Sequence, residues 1–513
     1  MPRPRHALSA AASARHSDRR AVAVSVPWCR FALLDARSLA AFRIALGCIV
    51  VADAGARTRD VATMFAPDGM FPVEVLRDAL GGPTAWSLAW LDDSLPWARV
   101  LLALQAGAGA AVALGWQTRW ATALAWIVVV SVVRRTAPAT NAGDLWLGCL
   151  LLWGIFLPLG ARWSVDASTR RGVATAAPSN AVTLPATGAL VIQIAVVYLS
   201  AGISKCNATW LAGDAVGLAL SIHDHGTRLG NWLAPCHWLT APAGWAIVAL
   251  ELACAPLLLL TPTVAVRTRL VAVFVLLHAA VWVTMSVGLF APVGIAAWLA
   301  LIPGPVWDRL GAGVAGATAS SPPPSGPLAM AGQAGVIPLL AVGVANAALA
   351  HRSEGTPIPD RLRLAIRLSA LEQDWRMFGD VRPQQQWTKA EARLADGRIV
   401  DLLRNGEPVV PGPPAGGYSS LLHHRWHKLC WDLHRPVQRR FAASLAATLA
   451  SRWNLTHPHG VRVEEVEIRT GRRRGEEQQE FLVAAWPARS PAGRGNLERF
   501  LSSPPAAGPD AGQ

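Results

Sequence analysis

The side chains most able to do chemistry in this chain are ionisable groups inside apolar stretches, and one lysine stands out among them. Of 47 basic residues, three are lysines: Lys205, Lys389 and Lys428. The rest are arginines. Lys205 follows directly on the apolar run GALVIQIAVVYLSAGIS (188–204) and is the lone lysine before residue 389. An arginine keeps its proton in any protein setting, whereas a lysine taken out of water can release it. Lys205 therefore has the chemistry of a base. Its place at the end of a span also suits a plain structural role, with the charged tip snorkelling to water.

Arg43, Asp53, Glu251 and His278 share this apolar setting. A charge inside a bilayer costs at least ~2.5–3.5 kcal/mol on insertion scales, so each should face a cavity or a partner. Arg43 and Asp53 lie too far apart on one helix to pair. Each is expected to meet another helix, or Arg43 to snorkel to the cytoplasmic face. Glu251, deep in WAIVALELACAPLLLL (245–260), calls for a tertiary partner. His278 reads as a packing or hydrogen-bonding residue, or as a catalyst. His223 and His225 (IHDHG) have no clear third ligand, so no metal is expected. The glycines form no phosphate loop.

The elements holding these groups are membrane helices. The chain has 513 residues, 52% of them hydrophobic, and a mean hydropathy of +0.32. Only 16% are charged, against about 25% in soluble domains. The composition predicts a polytopic α-helical membrane protein with a C-terminal α+β domain. Nine spans are expected, at 38–56, 97–116, 119–133, 144–160, 182–204, 241–260, 270–287, 290–302 and 328–350. The loop 207–240 is rich in Trp and His and suits the bilayer edge.

Residues 1–35 read as a disordered basic cytoplasmic tail without the core of a cleavable signal, 36–303 as the main membrane domain, and 304–327 as a Pro/Gly/Ser-rich linker. The last span is 328–350, followed by an extracytoplasmic domain over 351–488 and a disordered tail over 489–513. An odd number of spans puts the two ends on opposite sides. The Arg-rich N-terminus and the short Arg loops at 162–171 and 267–269 place it in the cytoplasm of a bacterial inner or plasma membrane, while Arg134 and Arg135 oppose that choice. The net charge of +14 comes from arginines that bracket apolar runs, so nucleic acid is not an expected partner. The seven cysteines show no CxxC or metal spacing and imply no disulfide framework.

In the outer part, Asp396-Gly397 marks a hairpin turn. VRVEEVEI (461–468) alternates at period two and could pair with EFLVAAW (480–486), and 438–453 has helical spacing.

Six segments in order resemble the HTTM ("horizontally transferred transmembrane") domain family, which is related to vitamin K-dependent gamma-carboxylase. They are LAAFRIALGCIVVAD (39–53), MFAPDGMFP (64–72), FLPLGARWSVDA (156–167), QIAVVYLSAGISKCNATWLAGDAV (193–216), HAAVWVTMSVGLFAPV (278–293) and LEQDWRMF (371–378). The most specific is YxxAGxxKxxxxW, met here by Tyr198, Gly202, Lys205 and Trp210. The resemblance covers roughly 36–460. It implies that Lys205 is the base that starts oxygenation of a vitamin K-type hydroquinone and that His278 is a second catalytic residue. It also implies a cavity among the spans for a quinone-like lipid, with Tyr198, Trp210 and Asp144 as cofactor-binding candidates and an extracytoplasmic protein or peptide as acceptor. A second carboxylase histidine, upstream of WSVD, has no counterpart: Gly143 stands at that place, and Asp144 is the nearest ionisable group. That departure keeps a second reading open, a non-catalytic lipid- or quinone-binding or scaffold protein.

Overall fold

The computed structural model describes residues 30–80, 85–170, 180–221, 225–311, 327–352, 357–381 and 383–487. Residues 1–29, His223, most of the expected linker and the tail 489–513 lie outside that set.

Each of the nine apolar runs forms a helix: α1 Ala36–Arg57, α2 Leu95–Leu114, α3 Thr118–Arg135, α4 Ala142–Phe156, α5 Pro185–Ser204, α6 His237–Leu260, α7 Val264–Thr284, α8 Phe290–Leu299 and α9 Pro327–Leu349. Six are long and apolar enough to cross a membrane: α1 with its continuation to Phe65, α2, α5, α6, α7 and α9. The other three fall short for physical reasons. At 1.5 Å per residue, the 15 residues of α4 reach ~22 Å and the 10 of α8 ~15 Å, against a hydrocarbon core of ~30 Å. Arg119, Arg134 and Arg135 charge both ends of α3.

Side-chain bonds fix which helix ends meet. At one end of the bundle, β1 (Leu34–Asp35) pairs with β2 (Ala181–Val182), and Arg267 at the start of α7 donates to the carbonyls of Phe31 and Leu33. At the other end, α1 finishes beside the start of α4, and α9 finishes where Asn346 donates to the carbonyls of Leu371 and Gln373. Residues 30–35 and the C-terminal domain thus sit at opposite ends. Exposed tryptophans mark both ends: Trp116 and Trp120 at the first, Trp232 and Trp238 at the second. Trp favours the bilayer interface.

The C-terminal domain follows α10 (Asp360–Ser369). Its antiparallel sheet has the order β5 (Glu407–Pro408), β4 (Ile399–Asp401), β3 (Gln385–Leu394), β6 (Val463–Arg474), β7 (Glu477–Trp486). The turn at Asp396-Gly397 joins β3 to β4, with Gly397 at φ +86°. The expected pairing of the two late strands is β6 with β7. Helices α11 (His424–Asp432) and α12 (Ala442–Thr456) cover the sheet.

This domain shares one core with the membrane part. Met64, Phe65, Met70 and Phe71, all from the MFAPDGMFP segment, pack with Leu445 and Leu449 of α12. Phe71 meets Phe441 edge-on at 5.7 Å. Arg135 fixes the segment by donating to the carbonyls of Met64, Phe65 and Phe71. The segment is a docking platform for the C-terminal domain.

Candidate functional site

Lys205 caps the C-terminal end of α5 and is buried. Its Nζ lies 2.9 Å from Oε2 and 3.2 Å from Oε1 of Glu251, which is also buried. It has a longer contact of 3.4 Å to the carbonyl of Ala201. The ring of Trp210 lies 5.4 Å from Nζ, within cation–π reach. The snorkelling reading of Lys205 therefore fails, because its tip is sealed in. Among the described residues, Glu251 accepts from Lys205 alone.

The YxxAGxxKxxxxW spacing now has a physical account. A Cβ at Gly202 would come within 3.0 Å of the Leu252 backbone nitrogen and 3.1 Å of the Glu251 side chain, so glycine lets α5 and α6 approach. That approach delivers Glu251 to Lys205. Trp210 roofs the amine and is itself held by donation from Nε1 to the carbonyl of Phe378 at 2.7 Å. Asn207 clasps the carbonyl of Gly379 at 2.6 Å.

Tyr198 belongs to a second cluster. Its hydroxyl lies 2.6 Å from Nε2 of His278 and accepts from Nε1 of Trp298 at 2.7 Å. The hydroxyl and Nε2 share one hydrogen bond, and which of the two donates follows the imidazole tautomer. Nδ1 is buried without a partner. Phe274 stacks on Trp298, and Trp146 and Phe290 close the box. Gly294 is required there, since a Cβ would stand 2.3 Å from the His278 ring. Lys205 and His278 do not touch; the link between them is Tyr198, which shares α5 with Lys205.

Asp144 lies in a third cluster. It caps α4 with Asn141 and pairs with Arg57 at 2.9 Å and Arg425 at 3.2 Å. Asp53 binds Arg57 at 2.8 Å, Gln105 at 2.8 Å and also Arg425. Arg57 adds a bond to Thr136. The sequence reading missed Arg57 and Arg425. The signal available for Arg57 was its i,i+4 spacing from Asp53; Arg425, 281 residues beyond Asp144, gave none. Arg43 does not snorkel either. It is fully buried and donates to the carbonyls of Val112, Ala113 and Trp163, so it caps the end of α2.

A family model of the HTTM domain matches residues 31–307, more than half of the chain. This chain belongs to the HTTM domain family. With six long apolar helices among its described residues, it is an integral membrane protein. No curated protein and no solved structure matches it. Lys205, Glu251 and His278 all lie within the matched HTTM region, whereas Phe378 and Arg425 lie beyond it.

Where the HTTM helices meet the C-terminal domain there is a cavity of about 470 Å³. Lys205, Tyr198 and His278 do not line it. Phe290, in ring contact with His278, and Phe378, bonded to Trp210, do line it, so each cluster stands one residue back from the cavity.

Proposed function

We propose that the protein is a membrane enzyme akin to the vitamin K-dependent carboxylases, coupling oxygenation of a vitamin K-type hydroquinone to carboxylation or another modification of an extracytoplasmic protein or peptide acceptor. The observation that carries this reading is the buried Lys205–Glu251 pair, in which the carboxylate has no other partner among the described residues. The residues fit a hydroquinone on two counts. Lys205 is a sequestered amine with a proton acceptor beside it, and His278 Nδ1 is a buried ring nitrogen lacking a partner. A bound hydroquinone would supply an acidic hydroxyl and the reducing equivalents for oxygen.

The chain's own residues handle the proton. Glu251 Oε2 can take the proton of Lys205 Nζ across 2.9 Å, which leaves two neutral groups and a nitrogen lone pair. A proton then accepted at Nζ leaves an ammonium beside a still-protonated Glu251, and the ion pair returns once Glu251 releases its proton. Trp210 excludes water from the amine, and Tyr198 orients the His278 ring. In this reading the N-terminus is cytoplasmic, as its arginines suggest.

The test uses purified protein in detergent with menaquinol or reduced vitamin K and oxygen, following quinone epoxide. Wild type should form it and Lys205→Met should not; equal epoxide from both would overturn the reading. The second reading, a quinone- or lipid-binding protein without turnover, is favoured by the wall of Trp210 and Phe378 between Lys205 and the cavity, and by glycine at 143. It predicts no epoxide from either protein.

A further inference from the structure

Helix α11 has one buried face and one half-buried face, with different work. One face anchors it: Arg425 enters the Asp53–Asp144 cluster, Trp426 donates to Asp60, and Leu429 joins the shared core. The other face is a polar stripe. His424, His427, Lys428 and Trp431 recur at helical spacing, and all four line the junction cavity.

Two features of this stripe point to a ligand. His424 and His427 each have a buried Nε2 without a partner. Leaving such an atom unpaired is costly, so a molecule that reaches both would be held by them. Burial, reinforced by the positive charge of Arg425, lowers His424 to about 4. Burial first, then His225 and Lys428, holds His427 well below the ordinary range. Both rings are neutral hydrogen-bonding groups at neutral pH. Among the described residues no set of His, Cys, Asp or Glu is placed for a metal.

The walls and the mouth narrow the ligand further. Phe290, Phe378 and Trp431 offer flat apolar surface. Three cations, Arg376, Lys428 and Arg435, line the cavity beside one carboxylate, Asp380; Arg376 is paired with Asp374, whereas Lys428 and Arg435 bring two positive charges to one carboxylate, Asp432. The volume of about 470 Å³ falls within the range for small-molecule sites, roughly 300–1,000 Å³.

We propose that this cavity binds a small planar organic anion. Its ring lies against Phe378 and Trp431, a polar ring substituent meets the two imidazole Nε2 atoms, and its negative group faces Lys428 and Arg435. The HTTM region supplies about a third of the lining residues and the C-terminal part of the chain the rest. Lys205 does not line the cavity, so the inference stands whether or not Lys205 does chemistry.

The test is titration calorimetry on the full-length protein in lipid nanodiscs with three probes: 1-naphthoate (flat and anionic), 1-naphthol (flat and neutral) and inorganic phosphate (anionic, no ring). Naphthoate should bind roughly tenfold or more tighter than either of the others. His427→Leu should abolish naphthoate binding. Arg435→Gln, at an exposed side chain whose loss leaves the core intact, should weaken it several-fold. Lys205→Met should leave it unchanged, which separates this result from the epoxide assay. Equal binding of naphthol and naphthoate, preference for phosphate, no binding of naphthoate, or unchanged affinity in Arg435→Gln would each overturn the proposal.

Discussion

Two buried ion assemblies lie toward the same end of the helix bundle, and they are built in opposite ways. In the cluster of Asp53, Arg57, Asp144 and Arg425, two carboxylates face two guanidiniums, and Gln105, Thr136 and the Asn141 backbone take up further bonding capacity. In the Lys205–Glu251 pair, one amine faces one carboxylate, with a long carbonyl contact and an aromatic ring for company. A saturated cluster of arginines cannot move a proton, because guanidinium does not release one. A sparse pair containing lysine can. Hydrogen-bond saturation, rather than burial, is what separates a structural ion network from a candidate acid–base site here, since both are buried.

The largest effect should come from breaking the saturated cluster. Arg425→Ala leaves two buried carboxylates with one cation and should cost about 3–5 kcal/mol. Thermal unfolding in detergent would show a marked fall in Tm, and limited proteolysis would release the C-terminal domain. An unchanged Tm would erase the distinction drawn above. Lys205→Met should cost less, about 1–3 kcal/mol, because a single buried carboxyl can neutralise itself by binding one proton. The sharper measurement is the double variant Lys205→Met/Glu251→Gln, which should return to within about 1 kcal/mol of wild type. If the double variant stays as unstable as the single, the pair is structural and the proton-handling role loses its basis.

Helices were legible in the sequence because apolar length and breakers are local signals. All nine runs are helical, and the hairpin at Asp396-Gly397 and the β6–β7 pairing follow from turn chemistry and alternation. Lys205 was legible through its residue type, and Glu251 as a group needing a partner. That the two partner each other was not, since the contact depends on how closely Gly202 lets α5 and α6 approach. Asp144 was singled out for a ligand role, yet it lies in the four-charge cluster because Arg425 arrives from a domain far along the chain. The α11 stripe was present as HxxHKxxW, but spacing alone could not say which face would look into a cavity.

Gly294→Ala probes the other under-satisfied group, His278. The new Cβ would stand 2.3 Å from the imidazole, so the ring must turn and give up its bond to Tyr198. Overpacking of this kind costs about 1–3 kcal/mol. A Tm drop in that range, with epoxide formation lost, would tie the His278 orientation to function. A Tm drop with turnover retained would confine His278 to packing.

The effect confined to acid conditions is a pH dependence at the seam between the cluster and the cavity. His424 feels Arg425, which lowers its proton affinity, and Asp144, which raises it, while burial dominates both and sets the value at about 4. The unfolded ring titrates near 6.5. Between those values the unfolded state binds more protons, so this contribution to stability is complete above about pH 6.5 and is lost as pH falls toward 4. His424→Gln removes the titrating group. Its Tm-versus-pH curve should match wild type in shape above pH 6.5 and fall less steeply below it. Identical slopes would mean that the ring is solvated enough to titrate normally, and that the saturated cluster ends at Arg425 without shaping the cavity beside it.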